Sequence, residues 1–150
     1  MRKLGVACFV AFGALIAPPV LAAASDIVRT RITSYRELGA AFKSVNDGLR
    51  GAPQTVLLQQ AARQIRNAAK QQYTLFPAGS GPQPGVKTAA KAAIWSNPAK
   101  FKALQDGFAL QADVFHKAVS SGNPAIMRAE TRKLGATCKA CHDQFREKEE

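Results

Sequence analysis

The chain has little of several things: aromatics are 7% of 150 residues, acids number 10 against 21 Lys and Arg, and there are two His, two Met and three Cys. With so few aromatics, and none interleaved with basic residues in a recognisable motif, the excess of positive charge does not read as nucleic-acid binding. Outside the N-terminus no apolar run is long enough to cross a bilayer. No alternating pattern competes with helix, and there is no internal repeat. Abundant alanine favours helix instead, and the length suits one domain with one core.

The N-terminus is a separate case. Arg2 and Lys3 precede an apolar run, Leu4 to Ile16, which Pro18 and Pro19 break and Ala22, Ala23 and Ala24 close. This is the pattern of a secretory signal peptide, with cleavage expected after about Ala24. Cys8 lies inside it, lacks a lipidation context and is expected to be discarded. The remaining residues, 25–150, carry 19 basic and 10 acidic side chains, a net charge of +9. The product is expected to be exported to the periplasm, without a membrane span.

Four helical segments follow. The first is expected from about Asp26 to Leu49, capped by Ser25 or Asp26, with Val28, Ile32, Tyr35, Phe42, Val45 and Leu49 as its apolar stripe. Gly51 and Pro53 end it. The second starts near Pro53, buries Leu57, Ala61, Ile65, Ala68 and Ala69, and ends before Pro77. A proline- and glycine-rich connection covers 77–97, with Ile94 and Trp95 turned inward. Asn97-Pro98 and Asn123-Pro124 pair an N-cap with a first-turn proline, starting the third and fourth helices. Phe101, Leu104, Phe108, Ala112, Phe115 and Val119 line the third, which Ser120, Ser121 and Gly122 stop. Ile126, Leu134, Cys138, Cys141 and Phe145 line the fourth, and the tail from Arg146 is expected to fray. Two short connections and one long one predict an all-α, antiparallel four-helix bundle.

The chemistry lies in Cys138-Lys139-Ala140-Cys141-His142. Residues three apart share a helix face. Two thiols so placed can add across two vinyl groups on one edge of a porphyrin, and the next imidazole can bind its iron. The pattern therefore predicts one covalent haem c, attached through Cys138 and Cys141, with His142 as axial iron ligand. A structural zinc site would need a fourth ligand, and His116 on the third helix is the only other histidine. A redox-active thiol pair usually sits in an alternating strand–helix setting, which is absent here. A lone close pair could form a small disulfide in an oxidising compartment, but the histidine that follows the second cysteine decides against it.

Further residues extend the pattern: Arg31 with Tyr35 four residues on and Gly39 beyond, Leu75-Phe76-Pro77 with Gly79-Ser80, Ile94-Trp95, Phe101, Phe108, Gly122, and Asp143, Phe145 and Arg146 after the motif. With these the chain resembles the class II cytochromes c, the cytochrome c′ family, over nearly all of residues 25–150. The resemblance implies that Tyr35 occupies the distal haem face, where a methionine would give a six-coordinate electron carrier and a bulky non-ligating residue a five-coordinate protein. It implies that Arg31 and Ile32 contact the haem near its propionates and that Arg146 lines the proximal pocket. The chain departs from relatives at Lys91-Ala92-Ala93, where a proline and an acid are frequent.

The function implied is a periplasmic, five-coordinate, high-spin haem protein that binds small gases, NO and CO, and handles NO. Neither methionine can replace Tyr35, since Met1 is lost with the leader and Met127 starts the fourth helix. The alternative is a soluble electron-transfer cytochrome that docks an acidic redox partner through cations such as Lys139. No distal histidine or acid is placed for bond cleavage, so an enzyme is not expected. Homodimerisation through the first two helices is implied by the resemblance alone.

Overall fold

The computed structural model describes residues 19–51 and 54–148. Residues 1–18 of the expected leader, including Cys8, lie outside the described residues, as do Pro53 and the last two residues of the tail.

Four long helices form the bundle: α1 (Pro19–Arg50), α2 (Thr55–Gln71), α4 (Pro98–Ser120) and α5 (Pro124–Phe145), with a single turn, α3 (Ala93–Ser96), inside the long connection. A 3₁₀ turn, Gln72–Thr74, finishes α2. Among the described residues the only extended pairings are two isolated bridges, Gln83 with Val86 and Ala90 with Arg146. Packing runs in a ring, α1 on α2, α2 on α4 and α4 on α5, and closes more sparsely between α5 and α1.

The core divides in two. The larger cluster fills the bundle with Val45 and Leu49 of α1, Leu58 and Ile65 of α2, Phe108 and Phe115 of α4, and Met127 and Leu134 of α5, with alanines between them allowing close approach. The smaller cluster is aromatic and sits where the long connection crosses the bundle: Ile94, Phe101 and Phe145, flanked by Phe76, Trp95, Leu104 and Cys141. Trp95 Nε1 donates to the Pro77 carbonyl at 3.0 Å, which ties the two ends of that connection together.

Single positions on three helices depart from expectation, while Val28, Val45, Leu49, Ala61, Ile65, Ala69, Leu134 and Phe145 are buried as expected. On α1 the buried position is Arg31, while Ile32 is 37% exposed. Arg31 can go inward because a loop offers it four acceptors. On α2 Leu58 (2% exposed) replaces Leu57 (57%) as the first core residue. Leu58, Ala61, Ala62, Ile65 and Ala69 then keep helical spacing, and the choice between adjacent leucines depends on a register that tertiary packing sets. On α5 Met127 is buried and Ile126 exposed for the same reason. The α4 stripe, Phe101 to Val119, is buried as expected apart from a half-buried Leu104.

Helix ends also differ in part. α1 extends back to Pro19, so Asp26 is inside the helix, paired with Arg29, and does not cap it. Asn97 marks the start of α4, but its side chain makes no cap bond and instead donates to Ser96 Oγ at 3.2 Å. Asn123 does cap α5, its Oδ1 accepting from Ala125 and Ile126 N–H at 2.9 and 3.2 Å. Asn123→Ala should cost about 1 kcal/mol, read as a shifted denaturation midpoint at unchanged slope. The start of the tail does not fray. Glu147 N–H donates to the Ala89 carbonyl at 2.8 Å and Lys91 N–H to that of Phe145 at 3.0 Å, so residues 145–147 pair with the long connection. Gly122, at φ +71°, makes the tight turn into α5.

Candidate haem site

The α1–α5 seam has a regular register. Near one end, Arg128 Nε donates to the Leu49 carbonyl at 3.2 Å. Further along, a Cβ on Gly135 would stand 3.3 Å from the Phe42 ring, so glycine lets the two helices touch there. From the first contact to the second, α1 runs back seven residues and α5 runs forward seven, as antiparallel helices must. One more step of seven brings Tyr35 level with His142. Each step is two turns, about 10 Å. Tyr35 is thus the α1 residue that faces the end of α5 carrying the two cysteines and the histidine.

The side chains agree with this register. Cys138 and Cys141 are half-buried and unpaired. Cys138 packs against the main core and Cys141 against the aromatic one. The thiols therefore sit on the boundary between the two clusters, both within electrostatic reach of Tyr35. Burial pushes the Cys138 thiol above its ordinary value and that of Cys141 up to about 11, helped by Cys138. Burial lowers the His142 imidazole, the Arg146 charge lowers it further, and Asp143 opposes. Arg146 is therefore close to His142, four residues on, and its own N–H donates to the His142 carbonyl at 3.1 Å.

On the opposite side Tyr35 is half-buried. Burial drives its phenol well above the ordinary tyrosine value, the two cysteines add to this, and Arg31 partly offsets it. Its ring leans on Phe76, centroids 6.1 Å apart, and Phe76 in turn meets Phe101 edge-on at 4.8 Å. Phe101 meets Phe145 at 5.2 Å, so an aromatic series runs from Tyr35 to the end of α5. Phe76 is its hub, also touching Trp95 at 6.2 Å.

Cys138, Cys141, His142, Tyr35 and Arg146 are thus brought to one end of one seam. Arg31 sits one turn before Tyr35, pointing into the loop that follows α2. Ile32 lies next to it, exposed. His116 is elsewhere, half-buried on α4 beside the fully buried Phe115, and Met127 is locked in the main core. Ser80 and Thr88, which receive Arg31, were not anticipated. A serine and a threonine in a glycine-rich loop carry no sequence signal of that role.

The donor set fits a haem better than a bare metal ion. Among the described residues no three His, Cys, Asp or Glu side chains converge to hold one, leaving the zinc reading without its further ligands. Two unpaired thiols on one face, an imidazole beside them and a sparsely closed seam are what a porphyrin attached by one edge needs.

An α-helical bundle with paired thiols and an imidazole on its last helix defines a c-type cytochrome of the helical class. A family profile described as cytochrome c′ matches residues 26–146. The Rhodopseudomonas palustris cytochrome c′ is 30% identical over 128 residues, 84% of this chain and 85% of that protein. The Rubrivivax gelatinosus cytochrome c′ is 43% identical over 84 residues, 56% of this chain and 64% of that protein, a match of less than two thirds of its length. Among solved structures, a cytochrome c′ with a ligand-controlled dimer dissociation superposes with a TM-score of 0.79 at 22% identity, over 83% of this chain and 97% of that one. A nitric oxide complex of a variant cytochrome c prime from Alcaligenes xylosoxidans does so at 0.77 and 23%, over 84% and 97%. The chain belongs to the cytochrome c′ family, and its cofactor is a single covalent haem c.

Proposed function

We propose that the protein is a periplasmic, five-coordinate cytochrome c′ that binds NO and CO, with Cys138 and Cys141 holding the haem edge and His142 as the only protein ligand of the iron. The observation that carries this reading is the seam register. It sets Tyr35 across from His142, backed by Phe76, while the sole methionine among the described residues, Met127, is buried in the main core. The bound haem supplies an iron with one coordination position open to a diatomic ligand. Tyr35 supplies the crowding that such a ligand must displace, Arg146 bears on the proximal imidazole, and the exposed Ile32 offers apolar surface beside the ring. The nitric oxide complex of the Alcaligenes xylosoxidans relative supports this choice of ligand.

Titrating the ferrous protein with CO tests it. Saturable binding of one CO per chain is expected, and no binding would contradict the reading. Export is expected to remove residues 1–24, and a homodimer through α1 and α2 is expected by family likeness. Among the described residues no helix is long and apolar enough to cross a membrane. The alternative is docking of an acidic redox partner through Lys139, which is exposed and carries only a surface ion pair with Asp143 at 2.6 Å.

The phenol of Tyr35 also sets a pH dependence. Its folded value lies above the unfolded one of about 10. The associated stability is therefore complete below pH about 10 and is lost as pH rises through the folded value. Between pH 6 and 9, roughly, the ferric spectrum should show no phenolate–iron band. A band that grows in across that range would make Tyr35 a ligand.

A further inference from the structure

The outer side of the α2–α4 seam carries a ledge that the haem chemistry does not use. Two polar contacts fix its register: Arg66 Nε donates to Asp113 Oδ1 at 2.5 Å, and Tyr73 Oη donates to Asp106 Oδ1 at 2.8 Å. Between them α2 runs forward seven residues and α4 runs back seven. Residues three or four apart share a helix face. Arg63 and Lys70 therefore flank Arg66 along the ledge, and Leu110, Val114 and Lys117 follow the outward line of α4. Leu110 is 70% exposed and Val114 37%. Ala103 and Gly107 lie on the same line, also exposed, and a Cβ on Gly107 would meet nothing within 4 Å. α4 thus buries one apolar face in the core and presents a second one outward.

Positive charge surrounds this apolar line. α2 has Arg63, Arg66 and Lys70 and no acid. On α4 Asp106 is held by Lys102 and Tyr73, and Asp113 by Arg66. Both acids of the ledge are thus already matched. Arg63, Lys70 and Lys117 are exposed and enter none of the ion pairs among the described residues. A second copy seated here would set these cations against their like, which is unfavourable. An acidic protein would need a socket shaped for the protruding Leu110. An anionic lipid surface needs none. Its phosphates take the Lys and Arg heads, the boundary between headgroups and acyl chains takes Leu110 and Val114, and Tyr73 suits the wet level between. The geometry points to the α2–α4 ledge as a docking face for an anionic bilayer surface, which holds the protein reversibly on a membrane without a span. This goes beyond gas binding and does not depend on the coordination number of the iron.

Flotation of the holoprotein with lipid vesicles tests this. Vesicles of phosphatidylglycerol and phosphatidylcholine in equal parts should carry the protein at low ionic strength and release it as salt is raised. Vesicles of phosphatidylcholine alone should not carry it. Lys70→Gln and Lys117→Gln should each weaken binding about fivefold, the factor expected for one cation near an anionic surface. Leu110→Gln combined with Val114→Gln should weaken it about tenfold, through lost apolar burial. Arg132→Gln, which removes an exposed cation from α5, should change it by less than about twofold. These side chains lie on the surface, so the absorption spectrum and the denaturation midpoint of every variant should stay those of the parent. No flotation, or equal flotation with both kinds of vesicle, overturns the proposal. So does a loss from Arg132→Gln as large as that from Lys70→Gln, which would assign binding to net charge, and so does full binding by the Leu110→Gln, Val114→Gln variant. Retention on a polyglutamate column that this same variant weakens, without vesicle flotation, would assign the ledge to an acidic protein and overturn the lipid reading.

Discussion

A Cys138→Ala, Cys141→Ala variant should lose all haem on a denaturing gel, whereas the parent retains one haem per chain. The two thiols are the only cysteines among the described residues, and they are half-buried, unpaired and on one face of α5. The third, Cys8, falls in the expected leader. With both thiols gone, haem can be held only by His142 and by packing, and neither survives denaturation. Each single variant should keep one thioether bond and so retain stainable haem, with a pyridine haemochrome band shifted by the one vinyl group to which no thiol has added. α5 itself should persist, since its Asn123 cap and its buried residues Met127, Leu134 and Phe145 stay in place and alanine keeps the Cβ contacts of the two half-buried cysteines. Haem staining that survives the double replacement would show attachment elsewhere.

Tyr35→Met should convert the ferrous protein from high to low spin. Methionine is a good helix former of similar reach, and the register of the α1–α5 seam sets position 35 level with His142. A thioether there can bind the iron opposite the imidazole. CO would then have to displace it. If that internal bond is worth about 3 kcal/mol, CO affinity falls about a hundredfold, at tenfold per 1.4 kcal/mol. Tyr35→Ala should do the reverse, opening the face and leaving the spin state high. A Tyr35→Met protein with an unchanged spectrum and unchanged CO affinity would show that position 35 does not face the iron.

Much of this site is legible in the residues because its chemistry is local. The spacing of Cys138 and Cys141, with His142 next, places two thiols and an imidazole on one turn without any knowledge of the fold. Asn123-Pro124 and Gly122 likewise act within a few residues of themselves. What the chain conceals is register between elements. Nothing near Leu57 and Leu58 says which of them meets α4, and nothing near Arg31 and Ile32 says that the arginine goes inward. That choice belongs to a loop 44 to 57 residues away, whose acceptors at Leu75, Ser80 and Thr88 make burial of a charge tolerable. The tail shows the same limit. Residues 145–147 are held by the backbone of residues 89–91, and backbone pairing leaves no side-chain signature to read.

Family membership and the haem are established together; the coordination number is the claim from which the proposed activity follows. It is tested most directly by the absorption spectrum of the dithionite-reduced holoprotein at neutral pH with no added ligand, followed by CO. The account predicts a broad, high-spin ferrous spectrum that sharpens on CO addition, in keeping with a single protein ligand, His142, and a Tyr35 wall that yields. A sharp, split low-spin spectrum that CO leaves untouched would contradict it.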